Sequence, residues 1–176
     1  VGKTTLIKAI MGILSPTVGE IHWQGEDITQ TPPNRRARAG LGYVPQGRDI
    51  FPHLSVHENL LMGRESLQGS ESADDVEDML EVFPVLGEKI DAAGGTLSGG
   101  QQQQLAIARI LMGKPEILLL DEPAAGIQPS IVQRIGEVIQ QLNEERGMTV
   151  FLVEQFVDFA LDLSDHVYVM REGKIV

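Results

Sequence analysis

Three short stretches of the chain carry residue types that could act on a phosphate. Gly2-Lys3-Thr4-Thr5 matches the closing half of a phosphate-binding loop, G-x-x-x-x-G-K-S/T. In such a loop, glycines let backbone N–H groups converge on phosphate oxygens. The lysine reaches the β- and γ-phosphates and the next hydroxyl holds Mg²⁺. Lys3 and Thr4 would take those parts, with the dipole of the helix they open adding to the attraction. The second stretch, ILLLDEP at 117–123, delivers Asp121 and Glu122 at the carboxyl end of a buried strand. Ligands of open α/β sheets bind at that edge. An Asp there can bind Mg²⁺, usually through water, and an adjacent Glu can polarise an attacking water as general base. The third stretch is LSGGQ at 97–101, directly before a helix. Ser98, Gly99 and Gly100 at a helix N-terminus form an anion-binding nest. Each stretch alone has a plain structural reading: a chance GKTT, a strand ending in an acidic turn, a capped helix. Their joint order along one chain favours the chemical reading.

The elements that must position these residues follow from periodicity. Leu6, Ile7, Ile10, Met11 and Leu14 recur at helical spacing, and Pro16 ends that helix. VGEIHWQGEDI alternates like a strand and turns at Gly25. TPPNRRARAG reads as a short basic helix opened by Pro32 and Pro33, and LGYVPQG as a short strand entering a Pro/Gly loop. Residues 56–95 read as helical and acidic, with SADDVEDMLEVF the clearest helix and Ser72 its candidate N-cap. QQQQLAIARILMG is a helix that is apolar, and so buried, over most of its second half. EILLLDEP is a continuous apolar strand of the kind found inside parallel sheets. Ile131, Ile135, Val138, Ile139 and Leu142 share one helix face. MTVFLVEQ reads as a second buried strand and DHVYVMREGKIV as a third, turning at Glu172-Gly173. Strands alternating with helices predict a right-handed, doubly wound α/β layer.

At 176 residues, 42% hydrophobic and 22% charged, the composition suits one globular domain. With no cysteine, disulfides and thiolate metal sites are excluded. The net charge of −11 argues against wrapping nucleic acid, which needs Lys and Arg in excess. His22, His53, His57 and His166 are scattered without metal-ligand spacing. Trp23 reads as a packing residue, and Arg35, Arg36 and Arg38 as a solvated helix face.

In their order, GKTT at 2–5, Gln46 of YVPQG, LSGGQ at 97–101, LLLDEP at 118–123 and LVEQ at 152–155, these motifs resemble the ATP-binding subunits of ABC transporters. The resemblance runs over essentially the whole chain. It implies a P-loop NTPase-type doubly wound parallel sheet with an inserted α-helical subdomain, truncated at the N-terminus: a nucleotide-binding core at 1–55 and 96–176, and a helical subdomain at about 56–95 that contacts a permease. Lys3 would bind the β/γ-phosphates of ATP, with loop contacts from Gly2 and Thr5. Thr4, Gln46 and Asp121 would serve Mg²⁺. Glu122 would be the general base, with Gln46 and Gln155 beside it. Ser98, Gly99, Gly100 and Gln101 would close on the ATP of a second ATP-binding subunit in a head-to-tail dimer. The remaining partners implied are transmembrane permease subunits and, indirectly, a periplasmic substrate-binding protein. The location implied is the cytoplasmic face of the inner membrane. On this reading the domain begins ahead of residue 1, and the 176 residues alone are expected to bind ATP weakly.

Two positions depart from the family pattern. The switch position usually holds a histidine, and here Gln155 aligns to it. Glutamine donates a hydrogen bond but carries no charge and shuttles no proton. The loop after the catalytic Glu usually carries an Asp, and here Gln128 stands there. The Gln155 switch and GIQPS resemble the branch that imports branched-chain amino acids and small amides, in which two different ATP-binding subunits pair. Within it, PQGRDIFPHLSVHENL, LSGGQQQQLAIAR and GIQPSIVQ look most like the urea-uptake subunit. Branched-chain amino acid import is the alternative. A nucleotide-binding regulatory subunit with little turnover and a soluble, non-transport ABC ATPase are the rivals of another class.

Overall fold

The computed structural model describes residues 2–64 and 74–176, so the Ser72 cap lies outside the described residues. The site is carried by a three-stranded parallel sheet, β3 (Leu41–Val44), β4 (Ile117–Asp121) and β5 (Thr149–Val153), in the order β3-β4-β5. Leu41 pairs with Ile117 and Val44 with Leu120, while Asp121 pairs with Val153. Side chains alternate across a strand, so β4 feeds two cores at once. Leu118 and Leu120 face one layer, with α6 (Gly99–Leu111) and α7 (Pro129–Arg146). Leu119 faces the other, with Ile7 of α1 (Lys3–Ile10) and Met11, which caps that helix. Asp121, two residues beyond Leu119, therefore lies on the α1 side.

Helix α1 is followed by a small antiparallel hairpin, β1 (His22–Trp23) and β2 (Glu26–Asp27), and by α2 (Pro33–Arg38). Trp23 is a packing residue, as the sequence suggests: its ring joins the α1-side core and its Nε1 donates to the Ala39 carbonyl at 2.9 Å. Arg35 and Arg38 are exposed, as a solvated basic face requires, but Arg36 departs from that reading. It is only 1% exposed, and its guanidinium donates to the carbonyls of Ala9, Ile10, Thr29 and Thr31 at 2.6–2.9 Å. The last carbonyls of a helix have no partner within it, and a planar five-donor cation can serve several at once.

Between β3 and β4 the chain builds a helical layer. Helix α3 (Val56–Gly63) opens with a capping box, Ser55 accepting from the Glu58 N–H while Glu58 accepts from that of Ser55. Helices α4 (Asp74–Val82) and α5 (Pro84–Gly87) bury Met79, Val82, Phe83 and Leu86 against Leu60 and Leu105. Gly63 must be glycine, since a Cβ there would lie 1.8 Å from the Arg109 carbonyl oxygen. That close approach seats α3 on α6.

Two strand expectations change. Among the described residues only β4 pairs with β5, which leaves Thr149 exposed, the next three residues half-exposed and Val153 buried. The segment at 166–175 does not join the sheet. After α8 (Val157–Leu163) it forms a two-residue hairpin, β6 (Met170–Arg171) with β7 (Lys174–Ile175), around Glu172-Gly173, and Val167, Tyr168 and Val169 are exposed. Alternation marks a segment that can extend, but the ladder needs a neighbour, and here the Glu172-Gly173 turn pairs the segment with itself. No helix among the described residues is long and apolar enough to cross a membrane.

Candidate active site

The carboxyl edge of the sheet gathers five of the residues singled out by sequence. β4 ends in Asp121, which is 2% exposed, and Thr4 in the first turn of α1 donates its hydroxyl to Asp121 Oδ1 at 3.3 Å. Burial raises the Asp121 carboxyl above the usual carboxylate range. The Thr4 hydrogen bond opposes that shift, the Glu122 charge reinforces it, and Lys8 and Lys3 oppose it more weakly. Its other oxygen, Oδ2, is buried and has no hydrogen-bond partner among the described residues. A buried, unpaired carboxylate oxygen beside a threonine hydroxyl suits a hard divalent cation, which takes oxygen ligands. Thr4, Asp121 and Gln46 line one cavity of about 420 Å³, so the residues present fit Mg²⁺.

Glu122 adopts φ +52°, a left-handed conformation that costs a non-glycine residue free energy and is common where function over-determines the backbone. The turn brings its carboxylate under two amides. Gln46 Nε2 donates to Glu122 Oε2 at 3.0 Å and Gln155 Nε2 to Oε1 at 2.6 Å. Gln46 hangs from the loop that follows β3, and Gln155 from the end of β5, so three neighbouring strands each deliver one side chain to this cluster. The loop after Gln46 is pinned by groups that the sequence reading passed over. Asn59 of α3 accepts from the Phe51 N–H and donates to the carbonyls of Phe51, Leu54 and Ser55. Arg109 donates to the Asp49 carbonyl at 2.7 Å and stacks 4.9 Å from the Phe51 ring centroid. An arginine inside the apolar run LAIARIL is the signal that marks it.

Gly2 precedes α1 at φ +99°, a conformation that strains any other residue, and a Cβ there would also crowd Gly173 Cα at 3.2 Å. Thr5 is exposed, and Lys3 sits in the first helical turn beside Thr4.

The LSGGQ residues lie apart from this cluster. Ser98 caps α6, its Oγ accepting from the Gln101 N–H at 3.3 Å while Gln101 Oε1 accepts from the Ser98 N–H at 3.0 Å. Ser98, Gly99, Gly100 and Gln101 line a second cavity, of about 500 Å³, with Gln128 and Arg134; no residue lines both cavities. Within one chain the two motifs do not form a single pocket.

The adjacent residue Glu154 also went unassigned by sequence. Its Oε1 accepts from the Ala124 N–H at 2.9 Å, and its Oε2 from the N–H groups of Gln155 at 2.9 Å and Phe156 at 3.4 Å.

A parallel sheet with this cluster at its carboxyl edge is the architecture of an ATP-binding cassette, and residues 1–125 match the ABC transporter family model. The chain belongs to that family and carries its ABC-type ATPase domain. It is 44% identical over 175 residues to the high-affinity branched-chain amino acid transport ATP-binding protein BraG of Pseudomonas aeruginosa, covering 99% of this chain and 75% of that protein. It is 37% identical over 174 residues to the probable branched-chain amino acid transport ATP-binding protein LivF of Archaeoglobus fulgidus, covering 99% and 74%. Among solved structures, a post-hydrolysis dimer of an ATP-binding cassette bound to ADP and Pi superposes with a TM-score of 0.88 at 25% identity, covering 98% of this chain and 78% of that one. An ADP-bound ABC transporter cassette superposes with a TM-score of 0.81 at 30% identity, covering 99% and 74%.

Proposed function

We propose that the protein hydrolyses ATP to power import of branched-chain amino acids, working as one of two ATP-binding subunits beneath a membrane permease. The observation that carries the hydrolytic part is the convergence of Gln46 and Gln155 on Glu122, 2.6–3.0 Å from its carboxylate oxygens. Glu122 is the general base and accepts a proton from the attacking water. The two amides hold that carboxylate and report, from two different loops, whether the site is complete. Lys3 and the N–H groups at the start of α1 bind the β- and γ-phosphates, with Gly2 and Thr5 shaping the loop. Thr4 and Asp121, with Gln46, would hold Mg²⁺, which when bound neutralises charge building on the transferred phosphoryl oxygens.

Because LSGGQ lines its own cavity, Ser98, Gly99, Gly100 and Gln101 serve the nucleotide of the partner subunit, and the complete site is composite. We infer that the partner is a different ATP-binding subunit, that a periplasmic binding protein delivers the substrate, and that the complex sits on the cytoplasmic face of the membrane.

The BraG and LivF relatives support branched-chain amino acids over the urea reading drawn from three sequence stretches. Uptake of labelled leucine and labelled urea by cells lacking the intact gene separates the two. Loss of leucine uptake alone is expected. Loss of urea uptake alone would overturn the substrate assignment and leave the ATPase standing.

A further inference from the structure

We propose that Glu154 is a positioning residue for ATP hydrolysis: its carboxylate ties the switch loop to the turn after Glu122 and so keeps Gln155 against the catalytic carboxylate. This rests on the ATPase reading of Glu122 given above.

The argument begins where the sheet ends. Asp121 pairs with Val153, and the Glu122 N–H donates to the Val153 carbonyl at 2.8 Å. Past that bond the parallel ladder stops. One chain turns through Glu122 at φ +52°, while the other leaves β5 through Glu154 and Gln155. Gln155 is exposed and its amide must nevertheless meet Glu122 Oε1 at 2.6 Å. An exposed side chain at the root of a loop keeps such a geometry only if the loop itself is fixed.

Glu154 supplies that fixing. One of its oxygens takes the Ala124 N–H of the loop behind Glu122, and the other takes the N–H groups of Gln155 and Phe156. Both ends of the side chain must therefore accept. Only an ionised carboxylate does this, and charge assistance strengthens each bond. Glutamine has the same length but must turn an NH₂ donor toward one of the two loops. Aspartate keeps the charge and loses the reach. The two carboxylates divide the work: Glu154 is held by main-chain donors, whereas Glu122 meets two side-chain amides.

The test is Glu154→Gln in the protein expressed from its intact gene and assembled with its partners. The kcat for ATP should fall about tenfold or more, because a displacement of an ångström in the reacting constellation is costly. The KM for ATP should stay within about twofold, since no phosphate contact is removed. In a Gln155→Ala background the same substitution should change kcat by less than about twofold, the group it positions being gone. Hydrogen exchange gives a readout independent of turnover: the amides of Ala124, Gln155 and Phe156 should lose protection while those of β4 and β5 keep theirs. An unchanged kcat would overturn the proposal. So would an equal loss in both backgrounds with a lower unfolding temperature, which is the mark of a merely structural residue. A wild-type protein that does not hydrolyse ATP would sink the ATPase reading itself, and this role with it. Active wild type with an indifferent Glu154→Gln variant would sink this role alone.

Discussion

At the scale of single residues, the site separates two carboxylates by environment. Glu122 is half-buried and bracketed by amides, whereas Asp121 is buried beside a hydroxyl. Replacing Glu122 by Gln should cut turnover by roughly 10²–10⁴-fold, the usual worth of a positioned general base, while leaving ATP binding intact. Steady-state hydrolysis and nucleotide retention by the assembled complex measure both. For Asp121, burial makes the folded state hold its proton more tightly than the unfolded state does. Folding stability therefore falls as pH rises from the ordinary carboxylate range through the raised value, and at neutral pH the ionised group is a cost. Asp121→Asn should raise the unfolding temperature of the nucleotide-free protein, by about 2–4 °C for each kcal/mol recovered in a chain of this size. It should also abolish Mg²⁺-dependent hydrolysis. A lower unfolding temperature for Asp121→Asn would contradict the sign. These residues were legible in the sequence because their types and order are constrained by phosphate chemistry. Asn59, Arg109 and Glu154 were not, because each acts through backbone groups whose positions only folding reveals.

At the scale of elements, two joints hold the site in place. Arg36 closes the end of α1, the helix that opens with Lys3 and Thr4. Arg36→Met should destabilise the protein by about 3 kcal/mol, since several buried carbonyls lose a charged donor at once. Denaturant unfolding measures this, and a change below about 0.5 kcal/mol would mean the guanidinium is dispensable. Gly63→Ala should force α3 off α6, because the added Cβ meets main chain and not a side chain that could swing away. A loss of about 1–3 kcal/mol, typical of overpacking, is expected in the same measurement. The basic run RRAR reads as a surface by composition, and nothing local reveals that one of its arginines faces a helix end some 26 residues earlier. The apolar strand ILLLD was readable because a strand covered on both faces needs no partner to declare itself. The segment at 166–175 was misread because alternation is local and pairing is not.

At the scale of the whole molecule, the cavity lined by Thr4, Gln46 and Asp121 and the LSGGQ cavity share no lining residue, although α6 reaches both through Arg109 and Gln104. If hydrolysis needs the LSGGQ motif of a neighbour, specific activity should fall when the subunits are diluted below their dissociation constant. Activity per subunit that stays constant on dilution, with monomers present, would contradict the composite site. The order of motifs along the chain made the fold class readable, since five stretches in that sequence leave few topologies that bring four of them to one sheet edge and set LSGGQ apart. The amide contacts on Glu122 carry one more consequence. Neither Gln46 nor Gln155 can gain or lose a proton, whereas an imidazole at the switch position would titrate at about pH 6–7. These two contacts are thus indifferent to acidity over the range that histidine senses. Installing Gln155→His should give the rate a new inflection there, a sensitivity that the native side chain avoids.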